Sequence, residues 1–152
     1  MLNQVIPDIY KTYLSVMKNS VGSEIFKNFY AKVNDKKQDI MEDGKLSCAF
    51  YVSSILAMFK LIYKIHGTVD GTVRDLEKNG WERIQHPEPG SVLVWEEQES
   101  SDGKCHKHIG FYVGNDEAIS NSSKLGKISK HNWTFNKSRK VENIFWNKKI
   151  LV

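Results

Sequence analysis

Residues 46–65, LSCAFYVSSILAMFKLIYKI, contain the longest apolar region of this sequence. Its hydrophobic residues are distributed on all sides of a helix, which is typical of a helix buried in the centre of a domain. Ser47 stands where a helix N-cap is expected. The region is too short and too often interrupted by polar residues to be a membrane span; the interruptions are Ser53, Ser54, Lys60 and Lys64.

The sequence before this helix predicts two further elements. Between residues 6 and 17 the apolar residues recur at spacings of three and four, with Pro7 near the first turn, which predicts an amphipathic helix. Residues 25–41 fit either a short helix or a hairpin that turns near Asn34 and Asp35, and we favour the hairpin.

After the central helix, the sequence predicts a third helix and then strands. Thr68 is a possible cap for the third helix, and Gly80 is a C-terminal stop. The apolar period then changes to two, with strands expected at 92–95, 106–113, 117–121, 127–135 and 141–151, and a loop at 96–104. Helices followed by antiparallel strands indicate an α+β domain with helices packed on an antiparallel sheet.

The composition fits one globular domain spanning residues 1–152. With 22 Lys and Arg against 18 Asp and Glu, the net charge is +4, and 40% of the residues are hydrophobic. The basic residues are scattered, so no nucleic-acid partner is expected. The two cysteines cannot form a disulfide framework, and each is interpreted as a separate thiol.

A thiol, an imidazole and a polar residue occur in an order that suggests nucleophilic catalysis. Cys48 begins the central helix, where backbone N–H groups and the helix dipole favour a thiolate. His108 lies on a strand about sixty residues later and could take the thiol proton. Ser120 and Asn121, on the returning strand, could orient the imidazole. This order is that of papain-like thiol hydrolases.

Three segments resemble motifs of the NlpC-like cysteine peptidases of bacterial cell walls. Residues 47–53, SCAFYVS, resemble the Asp-Cys-Ser-x-Phe-Val motif around the nucleophile. Residues 89–95, PGSVLVW, resemble the Pro-Gly-Asp-Leu-Val-x-Phe strand, and residues 108–114, HIGFYVG, resemble the His-Val-Gly-Ile-Tyr-x-Gly strand. The resemblance implies a papain-like, NlpC-type fold, to which residues 1–40 would be an N-terminal extension of uncertain role.

The resemblance also implies a reaction, which is hydrolysis of an amide bond, most plausibly in peptidoglycan peptides, without metal or cofactor. Cys48 would be the nucleophile and His108 the base. Asn121 is the expected third member because its amide oxygen accepts a hydrogen bond firmly, and Ser120 is the alternative that ungapped spacing favours. Possible cleft residues are Tyr30, Ser47, His131 and Trp133. The expected partner is a peptide or a peptidoglycan fragment.

Two other interpretations stay open. Cys105, His106 and His108 could contribute to a zinc site, because alternate residues of a strand face the same side. A catalytically inactive NlpC-like binding module would keep the fold without the activity. Since no secretory signal is visible, we expect a cytoplasmic location, or an extracellular or cell-wall location if the chain is exported by another route or its start was trimmed.

Overall fold

The computed structural model describes residues 2–100 and 102–152. Three α-helices form within these ranges: α1 Ile9–Asn19, α2 Cys48–Met58 and α3 Val69–Lys78. The strands are β1 Tyr30–Val33, β2 Lys36–Asp39, β3 Glu82–Arg83, β4 Val92–Glu99, β5 Cys105–Gly114, β6 Glu117–Ser122, β7 Lys127–Asn132 and β8 Val141–Trp146, and a 3₁₀-helix follows at Lys148–Leu151. None of the helices in these ranges is long and apolar enough to cross a membrane.

The main sheet has six strands in the order β3-β8-β4-β5-β6-β7, and every neighbouring pair is antiparallel. The strands β1 and β2 form a separate antiparallel hairpin. The predicted α+β architecture, with helices on an antiparallel sheet, is confirmed.

The helices cover one face of the sheet and form the larger hydrophobic core. Helix α2 packs against β5 and β6, as its apolar residues on all sides predict. Helix α1 buries Tyr13 and Met17 in the same core, and the Tyr13 hydroxyl donates to the carbonyl of Gly90 at 2.9 Å. The start of β4 is therefore attached to α1.

The opposite face of the sheet is covered by its own loops and by a smaller apolar cluster. Because side chains alternate along a strand, Val92 and Val94 join the helix-side core, whereas Leu93 and Trp95 join this outer cluster. Trp95 is fully buried, and its indole N–H donates to the carbonyl of Trp133. The face without helices thus also has a desolvated centre.

Two of the predicted elements form with the expected turn residues. The β1–β2 hairpin turns at Asn34 and Asp35, both of which have a positive φ. Helix α3 begins after Thr68, whose hydroxyl accepts from the amide of Gly71, and Gly80 follows the helix with φ of +79°. Both predictions are confirmed because the responsible signals are local.

Several predicted boundaries were wrong. Helix α1 begins at Ile9 because Asp8 caps it, and α2 ends at Met58, not at residue 65, with Lys60 at φ of +56° shortly after. Strand β4 extends into the predicted loop and ends at Glu99. Strands β7 and β8 are shorter than predicted. The short strand β3 was not predicted at all.

The buried carboxylate of Asp75 organises the chain after α2. It accepts hydrogen bonds from the amides of Tyr63 and Lys64, from the Asn79 side chain and from Nε2 of His66. Burial acts to raise the pKa of Asp75, but these hydrogen bonds outweigh it and lower the pKa below its usual value. The segment that predicted a longer helix is instead held as a turn by a residue of α3.

We expect Asp75→Ala to lower the free energy of unfolding by about 3 kcal/mol, because several buried donors lose their acceptor at once. Urea denaturation at pH 7 measures this loss. The matched control is Glu77→Ala on the same helix, since Glu77 is exposed and its ion pair with Arg83 contributes little.

The same carboxylate gives a pH dependence with a defined sign. Because the native pKa of Asp75 is lowered, its contribution to stability is present above the unfolded carboxyl pKa and is lost as the pH falls through the native pKa. The stability difference between the wild type and Asp75→Asn therefore shrinks on acidification below pH 4. A difference that stays constant down to pH 2 would contradict this role.

Candidate active site

A cavity of about 620 Å³ opens between the start of α2 and the β4–β5 hairpin. Cys48 and His108 both line it, so the structure brings the predicted nucleophile and the predicted base to one cavity. Its wall also contains Asn121, Arg139, Cys105 and His106.

Cys48 is the first residue of α2, and its sulfur lies close to the backbone N–H groups of Ala49 and Ile109. Ser47 occupies the N-cap position, but its side chain makes no capping hydrogen bond. The Ser47 hydroxyl is buried and has no hydrogen-bond partner among the described residues. Ser47 is thus the N-cap residue, as predicted, but its side chain does not cap the helix, and main-chain N–H groups lie near the Cys48 sulfur.

The sulfur lies where β5 and β6 separate. Their paired residues end at Gly110 opposite Ser120, and Ile109 is the next residue of β5. The Ile109 N–H is near the Cys48 sulfur, which lowers the pKa of the thiol. Helix α2 thus inserts its first residue into the gap that the diverging strands leave.

The surroundings of Cys48 favour the neutral thiol over the thiolate. Burial raises the pKa of the Cys48 thiol above its usual value, and the N–H groups of Ile109 and Ala49 and the Arg139 guanidinium only partly oppose this. The thiol therefore needs a base to remove its proton at neutral pH.

The imidazole of His108 begins a chain of three side-chain hydrogen bonds. His108 Nε2 is 2.8 Å from the Ser120 hydroxyl, which is 2.7 Å from His131 Nε2. His131 Nδ1 is 2.8 Å from the carbonyl oxygen of Asn132. The chain therefore ends on a main-chain group that can only accept.

That carbonyl determines the direction of every bond in the chain. His131 Nδ1 must donate to Asn132, so in neutral His131 the Nε2 atom accepts from the Ser120 hydroxyl. Ser120 has then used its single proton and accepts from Nε2–H of His108. The lone pair of His108 is left on Nδ1, which makes Nδ1 the ring nitrogen that can take a proton.

Ser120 occupies the position beside the imidazole because of one extra residue in β5. Gly114 lies opposite Glu117, whereas Tyr112 lies opposite Ala118, so Val113 is an unpaired bulge residue. The bulge sets Gly110 opposite Ser120. Without it, the pairing would set Gly110 opposite the next residue of β6.

The structure therefore places Ser120 in the hydrogen-bonding position that the sequence analysis assigned to Asn121. Adjacent residues of a strand face opposite sides, so Asn121 points to the helix side. Its side-chain amide donates to the carbonyl of Gly44 at 2.6 Å. Asn121 thus holds the loop that leads into α2, where Cys48 begins the helix.

Aromatic rings surround His108 and His131 on the outer face. Trp95 lies 5.1 Å from His108 between ring centroids, and Phe135 stacks on His131 at 4.0 Å. Burial, together with the charge of Arg139 and the neighbouring His131, lowers the pKa of His108 to about 3. His108 is therefore neutral at pH 7, so a ring lone pair is free to accept a proton, and the same shift makes it a weaker base than an ordinary imidazole.

The four predicted cleft residues do not line the cavity. Tyr30 is exposed on the β1–β2 hairpin, and Ser47 is buried beneath the helix start. Trp133 packs against Tyr112 on the outer face, because β7 ends before it and the chain turns away. His131 instead reaches the site indirectly, through the Ser120 hydroxyl.

The proposed zinc ligands are not gathered into a site. His106 Nε2 is 2.7 Å from the Asp102 carboxylate, and His108 Nε2 is bound to Ser120. Cys105 is exposed at the start of β5. Across residues 2–100 and 102–152, no three His, Cys, Asp or Glu side chains are grouped to hold a metal ion.

Arg139 was not predicted from the sequence. This residue lies just before β8, far along the chain from Cys48 and His108, and its charge nevertheless affects the pKa of both. In the sequence it belongs to a polar run of lysines that resembles an ordinary solvated surface. Only the fold brings its guanidinium to the cavity.

The architecture of helices packed on an antiparallel six-stranded sheet is that of an NlpC-like fold, as the comparison with solved structures shows. Neither a protein-family model nor a curated protein matches this sequence. Among solved structures, NlpC2 from Trichomonas vaginalis is similar, with a TM-score of 0.53 at 16% sequence identity. The similarity covers 93% of this chain and 48% of that chain, so this chain spans about half the length of its structural neighbour.

The neutral resting state of the site predicts how Cys48 reacts with iodoacetamide. Below the pKa of the thiol, the reactive thiolate increases tenfold per pH unit, so the alkylation rate should rise by about a hundredfold from pH 6 to pH 8. Mass spectrometry of the Cys105→Ser variant measures this rate for Cys48 alone. A rate that is independent of pH between 5 and 7 would instead reveal a thiolate–imidazolium pair.

Proposed function

We propose that this chain is a thiol hydrolase that cleaves an amide bond, with Cys48 as nucleophile and His108 as general base. The supporting observation is the hydrogen-bond chain from His108 to the carbonyl of Asn132. It leaves Nδ1 of a neutral imidazole unprotonated, and His108 and Cys48 line the same cavity.

The reaction begins with proton transfer from the Cys48 thiol to Nδ1 of His108, as the sulfur attacks the amide carbonyl carbon. The carbonyl π electrons move to oxygen, and the backbone N–H of Cys48 is a candidate donor to this oxyanion. The oxyanion then re-forms the carbonyl and expels the amine, which takes the proton from His108. Water, deprotonated by His108, hydrolyses the thioester by the same steps and restores the thiol.

Ser120 and His131 act together as positioning residues in this mechanism. His108 must donate from Nε2 in both its neutral and its protonated state, and Ser120 offers an acceptor in both. The Ser120 hydroxyl proton is donated to Nε2 of His131, because Nδ1 of His131 donates to the carbonyl of Asn132. The pair thus performs the orienting function for which the sequence analysis selected Asn121.

A short peptide is the proposed substrate, and peptidoglycan peptides are the proposed source. The cavity volume of about 620 Å³ lies in the range that holds a small ligand of a few residues. The motif resemblance around Cys48 and His108 supports a cell-wall peptide. Ser47 and Ser91 stand where the motifs have Asp, so the contacts to such a peptide differ from those of the resembled family.

A binding module without activity is the second candidate. The observation that favours it is the raised pKa of the half-buried Cys48, because a thiol that stays neutral at pH 7 is also typical of an inert cysteine. The two candidates differ in whether Cys48 is needed for turnover or only for packing.

We expect Cys48→Ala to abolish the release of products from purified peptidoglycan fragments, because it removes the sulfur that would form the thioester. Mass spectrometry of the fragments measures this. Cys105→Ala is the matched control, since Cys105 lines the same cavity but is exposed at the start of β5. Binding of fragments without cleavage by the wild-type protein would instead support the binding module.

The hydrogen-bond chain is tested by Ser120→Ala and His131→Phe, which each remove one of its links. Phe retains a ring for stacking on Phe135, so His131→Phe spares packing. Each variant should lower kcat by about a hundredfold, the range in which general-base catalysis contributes. The double variant should be no slower than either single variant, because both changes break one unit.

Two further variants separate positioning from structure. His131→Gln retains an acceptor for Ser120 and should restore part of kcat. Ser129→Ala makes the same truncation as Ser120→Ala at the paired position of β7 and should leave kcat unchanged. If the loss of kcat in the double variant equals the product of the two single losses, Ser120 and His131 act independently.

A further inference from the structure

The guanidinium of Arg139 is fixed at the cavity wall by two main-chain carbonyls. Its Nε donates to Glu96 at 3.0 Å, and one Nη2 proton goes to His106 at 2.8 Å. These carbonyls lie where the pairing of β4 with β5 shifts, between Trp95 and Gln98. The irregular pairing there leaves main-chain carbonyls free to accept hydrogen bonds, and these hold the Arg139 guanidinium in place.

Most of the donor capacity of Arg139 is not used within the protein. A guanidinium has five N–H donors, and two of them make the hydrogen bonds above. Arg139 makes no ion pair with any residue in the described part of the chain. The nearby Glu96 carboxylate accepts instead from the amide of Lys140 at 3.0 Å.

A half-buried cation that is not in ion-pair contact with a carboxylate is costly unless something else compensates it. Burial lowers the pKa of Arg139, and the nearby Glu96 carboxylate, which acts to raise it, only partly offsets this cost. The charge of Arg139 lowers the pKa of both Cys48 and His108, so the guanidinium lies close to the nucleophile and the base. A group that accepts from the unused N–H donors of Arg139 would therefore lie beside Cys48 and His108, which line the same cavity.

The remaining charged residues of the cavity wall limit the size of that group. They are of both signs, namely Lys45, Asp70, Glu97, Glu99 and Lys107. The three acidic residues, Asp70, Glu97 and Glu99, would repel a ligand that carries several negative charges. A single carboxylate matches the planar fork of the guanidinium and can accept two parallel hydrogen bonds.

We infer that Arg139 binds a free carboxylate of the substrate, and that this carboxylate lies next to the scissile amide. The substrate class is then a peptide with a free carboxyl group close to the cleaved bond. This inference rests on the proposed function, because the carboxylate belongs to a substrate only if the protein is a hydrolase. Binding of a carboxylate at Arg139 is tested without turnover.

The test compares two alkylating reagents of Cys48 that differ in charge, iodoacetate and iodoacetamide. The ratio of their rate constants cancels any change in the thiolate fraction, so it reports attraction of a carboxylate to the cavity. In a Cys105→Ser background, Arg139→Gln should lower the iodoacetate-to-iodoacetamide ratio by about tenfold. Lys140→Gln removes the same charge from the adjacent exposed position and should leave the ratio unchanged.

The wild-type protein provides a readout even if Arg139→Gln does not fold. Its Cys48 should show a higher ratio than the small neutral thiol N-acetylcysteinamide, and Arg139→Lys should retain most of this excess. A Cys48 ratio equal to that of the small thiol, or equal ratios in wild type and folded Arg139→Gln, would overturn the inference.

A second experiment connects the site to catalysis. Wall-peptide fragments are compared with the same fragments after their carboxylates are converted to carboxamides. Arg139→Gln should raise KM about tenfold for the carboxylate forms only. If the wild-type protein cleaves neither form, the proposed hydrolase function fails, whereas the alkylation ratios still decide whether Arg139 binds a carboxylate.

Discussion

The bulge at Val113 is the constraint on which the geometry of the site depends. By adding one residue to β5, it sets Gly110 opposite Ser120 and turns the next residue, Asn121, to the helix side. Gly110 is needed for this pairing, because a Cβ there would lie 2.7 Å from Cβ of Ser120. One inserted residue thereby determines which polar side chain reaches His108.

The two faces of the sheet divide the work of building the site. On the helix side, Asn121 binds the carbonyl of Gly44 and so fixes the loop before Cys48. On the outer side, Ser120 and His131 fix the imidazole. The two faces meet only beyond the last pair of β5 and β6, where the Ile109 N–H meets the sulfur. Cys48 and His108 can therefore line one cavity, although Cys48 lies on the helix side of the sheet and the His108 side chain lies on the outer side.

What the sequence could predict follows from how local each signal is. The cap at Thr68 and the turn at Asn34 depend on neighbouring residues, and both were predictable. The position of Cys48 at a helix start was predictable for the same reason. The end of α2 was not, because the carboxylate of Asp75 binds the amides that a longer helix would have used.

The polar residues of the site illustrate the same limit. Choosing between Ser120 and Asn121 required the register of β5 and β6, and no turn residue reveals the bulge at Val113. His131 was noticed as a cleft residue, but its bond to Ser120 depends on the pairing of β6 with β7. Arg139 was missed because only the shift in β4 presents the carbonyls that bind it.

The charge of Arg139 has opposite effects on the two reacting groups. It favours the Cys48 thiolate and disfavours the His108 imidazolium, so its net effect on proton transfer between them is a difference of two opposing contributions. In the proposed mechanism, the sulfur is no longer charged once it has bonded to carbon, so it no longer offsets the repulsion between the imidazolium and the guanidinium. A substrate carboxylate bound to Arg139 would weaken this repulsion in the intermediate, where His108 is an imidazolium. In the ground state His108 is neutral, so there is no such repulsion to weaken. Binding of the carboxylate would then stabilise the transition state more than the resting complex, which is the condition for a binding interaction to increase kcat.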